Sequence, residues 1–291
     1  MKKNMRRAWS VVLALTLILG SAYAKAGENA LHVLIIGVDS SAGDRRGRSD
    51  TMMLVSVDPA MGEIRLVSFL RDLYVSIPGV GKTRLNAAYH YGGETLLKET
   101  LAKNFGVRVD RTVTVQFSML ADLVDQLGGI ELEIAEKERE HLNEIIADYN
   151  ADYGLSGGWI ERAGKQLLNG KQSLCYSRIR QIDSDFQRTS RQQKVISAML
   201  EKLGGMSKWE MIKLAVRNIS RVETDMGFSD ITALAPMMAQ MENLQIQTAH
   251  VPFAGAFSEE TANGMMVLKP DLEVCRRKLA EFLEPNENGN G

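Results

Sequence analysis

His32–Val38 (HVLIIGV) is apolar at nearly every position, the pattern of a short strand buried on both faces. Met52–Val57 and Glu63–Leu70 are two more β-rich runs, and Asp58-Pro59-Ala60-Met61-Gly62 between them carries hairpin turn chemistry. Arg111–Gln116, Ile130–Ile134, Leu174–Ile179 and Leu244–Val251 are further strand candidates. Apolar residues at helical spacing predict helices over Gly93–Phe105, Phe117–Leu127, Glu136–Asn150, Asp185–Leu203, Ser229–Met241 and Asp271–Leu283. Strands and helices interleave throughout, which predicts an α/β fold: an α/β/α sandwich with a mixed central β-sheet. Asp148–Gly158, rich in Gly, Asp and Tyr, reads as a mobile surface loop. No linker interrupts the chain, so residues 30–284 read as one domain, followed by a polar frayed tail at 285–291.

The first 24 residues have a different pattern. Lys2, Lys3, Arg6 and Arg7 precede the uncharged run Trp9–Leu19, and Ala22-Tyr23-Ala24 fits a small-x-small cleavage site. This is a secretory signal, or an uncleaved anchor whose apolar span of about 17 residues is at the short limit for a bilayer. In both cases the basic end stays in the cytoplasm and the remainder is exported. Export removes ATP as a co-substrate, so energy for any transfer reaction must arrive within the substrate.

Composition narrows the function class. The 291 residues are 45% hydrophobic and 24% charged, which excludes wholesale disorder and a multi-pass membrane protein. The formal charge is −1. It becomes about −5 once the basic N-terminal segment is set aside, a poor balance for coating nucleic acid. Four scattered histidines and two cysteines form no zinc or iron–sulfur ligand set. Cys175 and Cys275 are read equally as a disulfide or as two buried thiols.

Two polar blocks carry the candidate chemistry. If the hairpin reading holds, the end of the third strand, Phe69-Leu70-Arg71-Asp72, returns beside the start of the second, Arg48-Ser49-Asp50-Thr51. That brings Arg48, Asp50 and Arg71 to one sheet edge, joined by Asp39 if the first strand ends at that same edge; surface salt bridges are the plainer alternative for these residues. Carboxylates among guanidiniums suit a hard divalent cation together with a phosphorylated ligand. The second block is Ser177–Gln193. Arg178 and Arg180 are expected to alternate at a strand end, with Asp183 or Ser184 capping the next helix. Asp185, Arg188 and Gln192 then form one stripe of that helix. Arginine favours bidentate capture of phosphate oxygens over a plain solvated face. Gly79-Val80-Gly81-Lys82-Thr83 only superficially resembles a P-loop, since Ser76 stands where that motif needs glycine. Arg84–Tyr89 after it looks like a helix start, with Asn86 as polar lining or a cap.

Gly37-Val38-Asp39, Gly47-Arg48-Ser49-Asp50-Thr51, Ser68-Phe69-Leu70-Arg71-Asp72, Leu85-Asn86-Ala87-Ala88-Tyr89, Leu127-Gly128-Gly129-Ile130 and Tyr176–Arg180 through Asp185–Gln192 occur in the order of one family. Over residues 31–203 the chain resembles the LytR-CpsA-Psr (LCP) family. The resemblance implies an extracytoplasmic phosphotransferase of the bacterial envelope. Such an enzyme moves a glycopolymer phosphate from a polyprenyl diphosphate carrier to peptidoglycan, as in teichoic acid or capsule attachment. It also implies an α/β/α sandwich with an apolar lipid pocket, and Mg²⁺ (or Mn²⁺) at the diphosphate. Carried over by position, Asp39 and Asp50 resemble the metal-associated carboxylates. Arg48, Arg71, Arg178, Arg180, Arg188 and Gln192 resemble the diphosphate-binding set, with Asp39 and Arg71 the catalytic candidates. The expected partners are the polyprenyl-diphosphate-linked glycopolymer, the peptidoglycan acceptor and the membrane, with no nucleic acid. The expected location is the cytoplasmic membrane with the catalytic domain outside, or secreted if the signal is cleaved. A hydrolase of the same diphosphate and a non-catalytic envelope-binding protein are the rival readings; the family was also once described as transcriptional attenuators.

Overall fold

β1 (Leu31–Val38) is buried from His32 to Val38, as its unbroken apolar run requires. The computed structural model describes residues 30–38, 49–58, 63–180, 184–218, 223–225 and 245–284. They fall into two compact units. One holds the chain up to Val115 with residues 223–225 and the C-terminal part; the other runs from Gln116 through Asn218.

In the first unit β1 pairs antiparallel with β2 (Ser49–Asp58), and β2 pairs antiparallel with β3 (Glu63–Phe69). β10 (Gln245–Val251) runs parallel to β3. With β6 (Arg111–Gln116) and β9 (Glu223–Thr224) they form a six-stranded sheet in the order β10-β3-β2-β1-β6-β9. The parallel β10–β3 pair beside the antiparallel β1–β2, β2–β3 and β6–β9 pairs makes the sheet mixed, so the expected α/β class and mixed central sheet hold. Two helices, α1 (Asn86–Phe105) and α7 (Leu272–Leu283), pack together, α1 also touching β2 and α7 touching β10. α1 is broken at Gly92-Gly93. Gly93, at φ 64° and ψ −153°, has a backbone that only glycine adopts readily. The helix predicted from Gly93 is therefore preceded by a separate turn from Asn86.

Two small hairpins in this unit escape the sequence reading. β4 (Tyr74–Ile77) pairs with β5 (Gly81–Arg84), and β11 (Phe257–Ala262) pairs with β12 (Met265–Pro270). The segment that mimics a P-loop is the β4–β5 turn and the start of β5, as its dismissal required.

The second unit contains α2 (Phe117–Gln126), β7 (Ile130–Ile134), α3 (Glu136–Tyr153), β8 (Gly164–Leu168), α4 (Gly170–Ser177), α5 (Asp185–Gly204) and α6 (Lys208–Asn218). β7 alternates buried and exposed residues and pairs antiparallel with β8. α4 corrects the strand expected over Leu174–Ile179. A short apolar run does not separate strand from buried helix. The capping box between Asn169 and Gln172 decides it, each side chain bonding the other's backbone N–H at 2.9 Å. The loop expected over Asp148–Gly158 is also corrected. α3 continues to Tyr153, and the carbonyl of Gly157 accepts from Asn150 Nδ2 at 3.0 Å and Lys171 Nζ at 2.9 Å.

Cys175 on α4 and Cys275 on α7 are both free and buried, which decides for two thiols. Burial pushes the Cys175 thiol up to about 11. The helix expected over Ser229–Met241, the N-terminal targeting segment and the tail from Pro285 lie outside the described residues. Among the described residues no helix is long and apolar enough to cross a membrane.

Gly170 sits where α4 approaches the backbone of α2 closely. A Cβ there would lie 2.0 Å from the backbone oxygen of Ala121 on α2. Gly170→Ala should therefore cost roughly 2–3 kcal/mol, at the upper end of core overpacking. Denaturant unfolding checks this, and wild-type stability would mean that α2 and α4 separate freely.

Candidate active site

In the first unit, the β2–β3 ladder ends at Met53 opposite Ser68. Continuing that register places Asp50 opposite Arg71. The β1–β2 register also shifts here: Gly37 faces Thr51 but Val38 faces Ser49, leaving Asp50 as the extra residue of a bulge. Bulges re-aim side chains at sheet edges. Here Asp50 Oδ1 accepts a hydrogen bond from Arg71 Nη1 at 3.0 Å, with both side chains about one quarter exposed at 26% and 25%.

The turn after β3 is fixed by its backbone. Leu70 N–H donates to Val251 O at 2.9 Å, Asn86 N–H to Arg71 O at 3.2 Å, and Leu268 N–H to Asp72 O at 3.0 Å. Asn86 is buried at the start of α1. Asp72 adds a second carboxylate, with Oδ2 3.6 Å from Arg71 Nε and Oδ1 3.3 Å from Arg84 Nε. Arg84 donates onward through Nε to the carbonyl of Met266 on β12 at 3.1 Å. From the sequence Asp72 reads only as a surface ion-pair partner of Arg71. Arg84 was missed, because nothing in the pattern placed it beside Asp72 and the β4–β5 hairpin was not visible.

The predicted partners divide. Asp39 and Arg48 lie outside the described residues. Asp50 and Arg71 are brought together as expected. Arg178, Arg180, Arg188 and Gln192 belong to the second unit.

In that unit, Arg178 and Arg180 do not alternate on a strand. Arg178 is the C-cap of α4, its N–H donating to Cys175 O at 3.0 Å, and Arg180 is exposed two residues later. Arg188 and Gln192 share the buried stripe of α5 as predicted. Arg188 is held by Asp185 Oδ1 at 2.5 Å. Ser184 occupies the N-cap position of α5 without a side-chain cap bond, and Asp183 lies outside the described residues.

Arg191, also within the Ser177–Gln193 block, is a fastener. Its Nε donates to Glu138 Oε1 at 2.9 Å and its Nη1 to Ile179 O at 3.0 Å, with the side chain 3% exposed. Tyr176 Oη donates to the same carboxylate at 3.2 Å. The Arg178–Arg180 segment is thus pinned at Tyr176 and Ile179.

A divalent cation would find one described carboxylate of the right kind. Asp50 is partly exposed and has one oxygen engaged by Arg71. No group of three or more His, Cys, Asp or Glu side chains among the described residues forms a ligand cluster. Asp50 alone could serve as one of the one or two carboxylates by which an ion such as Mg²⁺ is held when phosphate and water supply its other ligands. A cavity of about 380 Å³ elsewhere in the first unit, lined by His32, Phe105, Arg108, Arg276 and Leu283, fits phosphate less well. Arg276 is spent there on the terminal carbonyls of α1, Lys103 O and Asn104 O at 2.8 and 2.7 Å.

The mixed sheet, with its carboxylate–guanidinium edge, defines an α/β protein with a polar site at the ends of its central strands. Residues 14–281 match the LytR_cpsA_psr family, and the chain belongs to it. It is 28% identical over 262 residues to the polyisoprenyl-teichoic acid–peptidoglycan teichoic acid transferase TagV of Bacillus subtilis, covering 87% of this chain and 64% of TagV. It is 34% identical over 211 residues to the transferase of the same description, TagU, of Enterococcus faecalis, covering 70% of this chain and 64% of TagU. The chain thus spans just under two thirds of the length of these two relatives. Among solved structures, the LytR-CPS2A-psr family protein YwtF (TagT) with bound octaprenyl pyrophosphate lipid shares the fold. Its TM-score is 0.65 at 22% identity, covering 91% of this chain and 96% of that one.

The Glu138–Arg191 pair generates a stability prediction. Burial pushes the Glu138 carboxyl up, but hydrogen bonds from Arg191 and the Ala135 amide hold it below its ordinary range. A carboxyl so depressed stabilises the fold above its unfolded pKa, and that contribution is lost as pH falls through the folded value. Glu138→Gln strands the buried guanidinium and should cost about 3 kcal/mol at neutral pH. Its stability should also fall less steeply than wild type below about pH 4. Urea unfolding across pH checks both; a neutral substitution would remove the pair as the anchor of the arginine segment.

Proposed function

We propose that this protein is an extracytoplasmic transferase that moves a glycopolymer phosphate from a polyprenyl diphosphate carrier to peptidoglycan. The observation that carries this reading is the Asp50–Arg71 pair, held at the bulged sheet edge of a chain that belongs to the LytR_cpsA_psr family. Its relatives TagV and TagU, both teichoic acid transferases by name, support the reaction, and the lipid bound by TagT supports a polyprenyl diphosphate as donor and an apolar pocket for its tail. The basic start and apolar run of residues 1–24 support export, with the catalytic part held at the outer face of the membrane or released by cleavage.

In this reading Arg48, Arg71, Arg178, Arg180, Arg188 and Gln192 bind diphosphate oxygens. Arg71 stabilises charge that develops on the departing polyprenyl phosphate. A sugar hydroxyl of peptidoglycan attacks the polymer-proximal phosphorus. The new P–O bond forms as the bond to the polyprenyl phosphate oxygen breaks, so one diphosphate linkage becomes one phosphodiester. Asp39 accepts the hydroxyl proton and releases it to solvent. Asp39 and Asp50 would hold Mg²⁺ (or Mn²⁺), whose chemistry when bound is to neutralise the diphosphate oxygens.

Purified protein incubated with a polyprenyl-diphosphate glycan, with and without peptidoglycan, tests the reading. Turnover should require the acceptor. Acceptor-independent turnover would make the protein a hydrolase, and none at all would leave a binding protein. Arg71→Lys keeps the charge but loses the planar fork. It should slow transfer by on the order of 10²-fold while leaving the melting temperature near wild type.

A further inference from the structure

We propose that Asp72 is a positioning residue for Arg71, and that Arg84 and the β11–β12 hairpin hold Asp72 in turn. The inference rests on the role of Arg71 given above. Two carboxylates lie against different nitrogens of Arg71: Asp50 Oδ1 accepts a hydrogen bond from Nη1 at 3.0 Å, and Asp72 Oδ2 forms an ion pair with Nε at 3.6 Å. The directional bond places the guanidinium, and the second charge biases its plane. Planar alignment is what lets the fork present parallel N–H groups to phosphate oxygens.

The two grips differ in what the substrate does to them. Asp50 is the described carboxylate that would share its oxygens with a cation at the diphosphate, so its hold on Arg71 is weakened when substrate arrives. Asp72 faces the opposite way. Its Oδ1 is buried, without a hydrogen-bond partner among the described residues, and lies 3.3 Å from Arg84 Nε, so this carboxylate sits between two guanidiniums as an ion pair with each. A carboxylate between two cations is a poor ligand for a third. Asp72 therefore stays on Arg71 throughout the reaction.

Arg84 is fixed by the main chain. Both its Nε and its Nη2 donate to Met266 O. Leu85 N–H donates to Leu73 O at 2.8 Å, tying the end of β5 to the turn, and Leu268 N–H reaches Asp72 O at 3.0 Å. Leu73 also bridges Leu268. Asp72 is thus clamped through its side chain by Arg84 and through its backbone by β12. The hairpin, which carries no recognised motif, acquires a purpose as the outer support of the phosphate-binding arginine.

A double-mutant cycle in the full chain tests this, with acceptor-dependent turnover, KM for the lipid diphosphate and thermal melting as readouts. Asp72→Asn keeps the shape and removes the charge. It should lower kcat by roughly 10- to 10²-fold through misalignment of Arg71, with KM within about 2-fold and melting near wild type. In an Arg71→Lys background the same substitution should add almost nothing, because its target is gone. Equal losses in both backgrounds would show that Asp72 acts independently, and near wild-type kcat for Asp72→Asn would show no role; either result overturns the proposal. If Arg71→Lys alone is near wild type, the role of Arg71 and the reading it supports fail instead. Should Asp72→Asn not fold, Asp72→Glu replaces it. It retains the charge at a displaced position, and its loss of kcat should likewise vanish in the Arg71→Lys background; persistence there overturns the proposal.

Discussion

The register of β1, β2 and β3 is the constraint on which the candidate site depends. These strands are buried on both faces along almost their whole length, so a slip by one residue would exchange side chains of different size between two packed faces, at the cost of overpacking and cavities. Burial therefore locks the ladder, and the locked ladder carries Asp50 opposite Arg71 beyond its last pair. The bulge at Asp50 takes up the single residue by which β2 is longer than β1 at this edge. It frees Asp50 from pairing with β1 and leaves its carboxylate on Arg71 at 3.0 Å. The energy that fixes the polar pair is thus hydrophobic, stored in Val33, Leu34, Leu54, Val55, Leu66 and Val67, none of which touches the chemistry.

The arginines of this chain sort by what neutralises them. Arg65 is 1% exposed and is consumed by Glu63 and by the carbonyl of Leu283 at the end of α7. Arg191 is consumed by Glu138 and Ile179 O. Both are buried and turned toward protein groups, out of reach of a ligand. Arg71 is partly exposed and shares carboxylates that also face other groups, and Arg180 is exposed. A guanidinium held in orientation but incompletely buried can exchange protein contacts for phosphate oxygens at small cost. Arg188 is an intermediate case, buried on α5 beside Asp185 and Gln192.

Much of this was legible in the sequence, for a physical reason. Continuous apolar runs and hairpin turn residues identify β1, β2 and β3, and two strands joined by a hairpin must return to a common edge. That logic alone brings Asp50 to Arg71. The helical stripe of Asp185, Arg188 and Gln192 follows equally from periodicity. The failures lie where local signals are short. Leu174–Ile179 has too few residues for its period to be read, and the Asn169–Gln172 box that makes it helical precedes the apolar run. The β4–β5 and β11–β12 hairpins are built from short, partly polar strands, so Arg84 and its support of Asp72 were invisible. Arg191 shows the converse limit: a sequence displays a charge but not the distant carboxylate, Glu138, that has already claimed it.

The account stands on Arg71 meeting the substrate through a fork that Asp50 and Asp72 have already aligned. An experimental structure of the full chain with a polyprenyl diphosphate bound tests that most directly. The account predicts two Arg71 guanidinium nitrogens within about 3.2 Å of diphosphate oxygens, with the Asp72 contact retained. A diphosphate bound with Arg71 still closed on Asp50, and no phosphate oxygen within about 4 Å of its guanidinium, would contradict it.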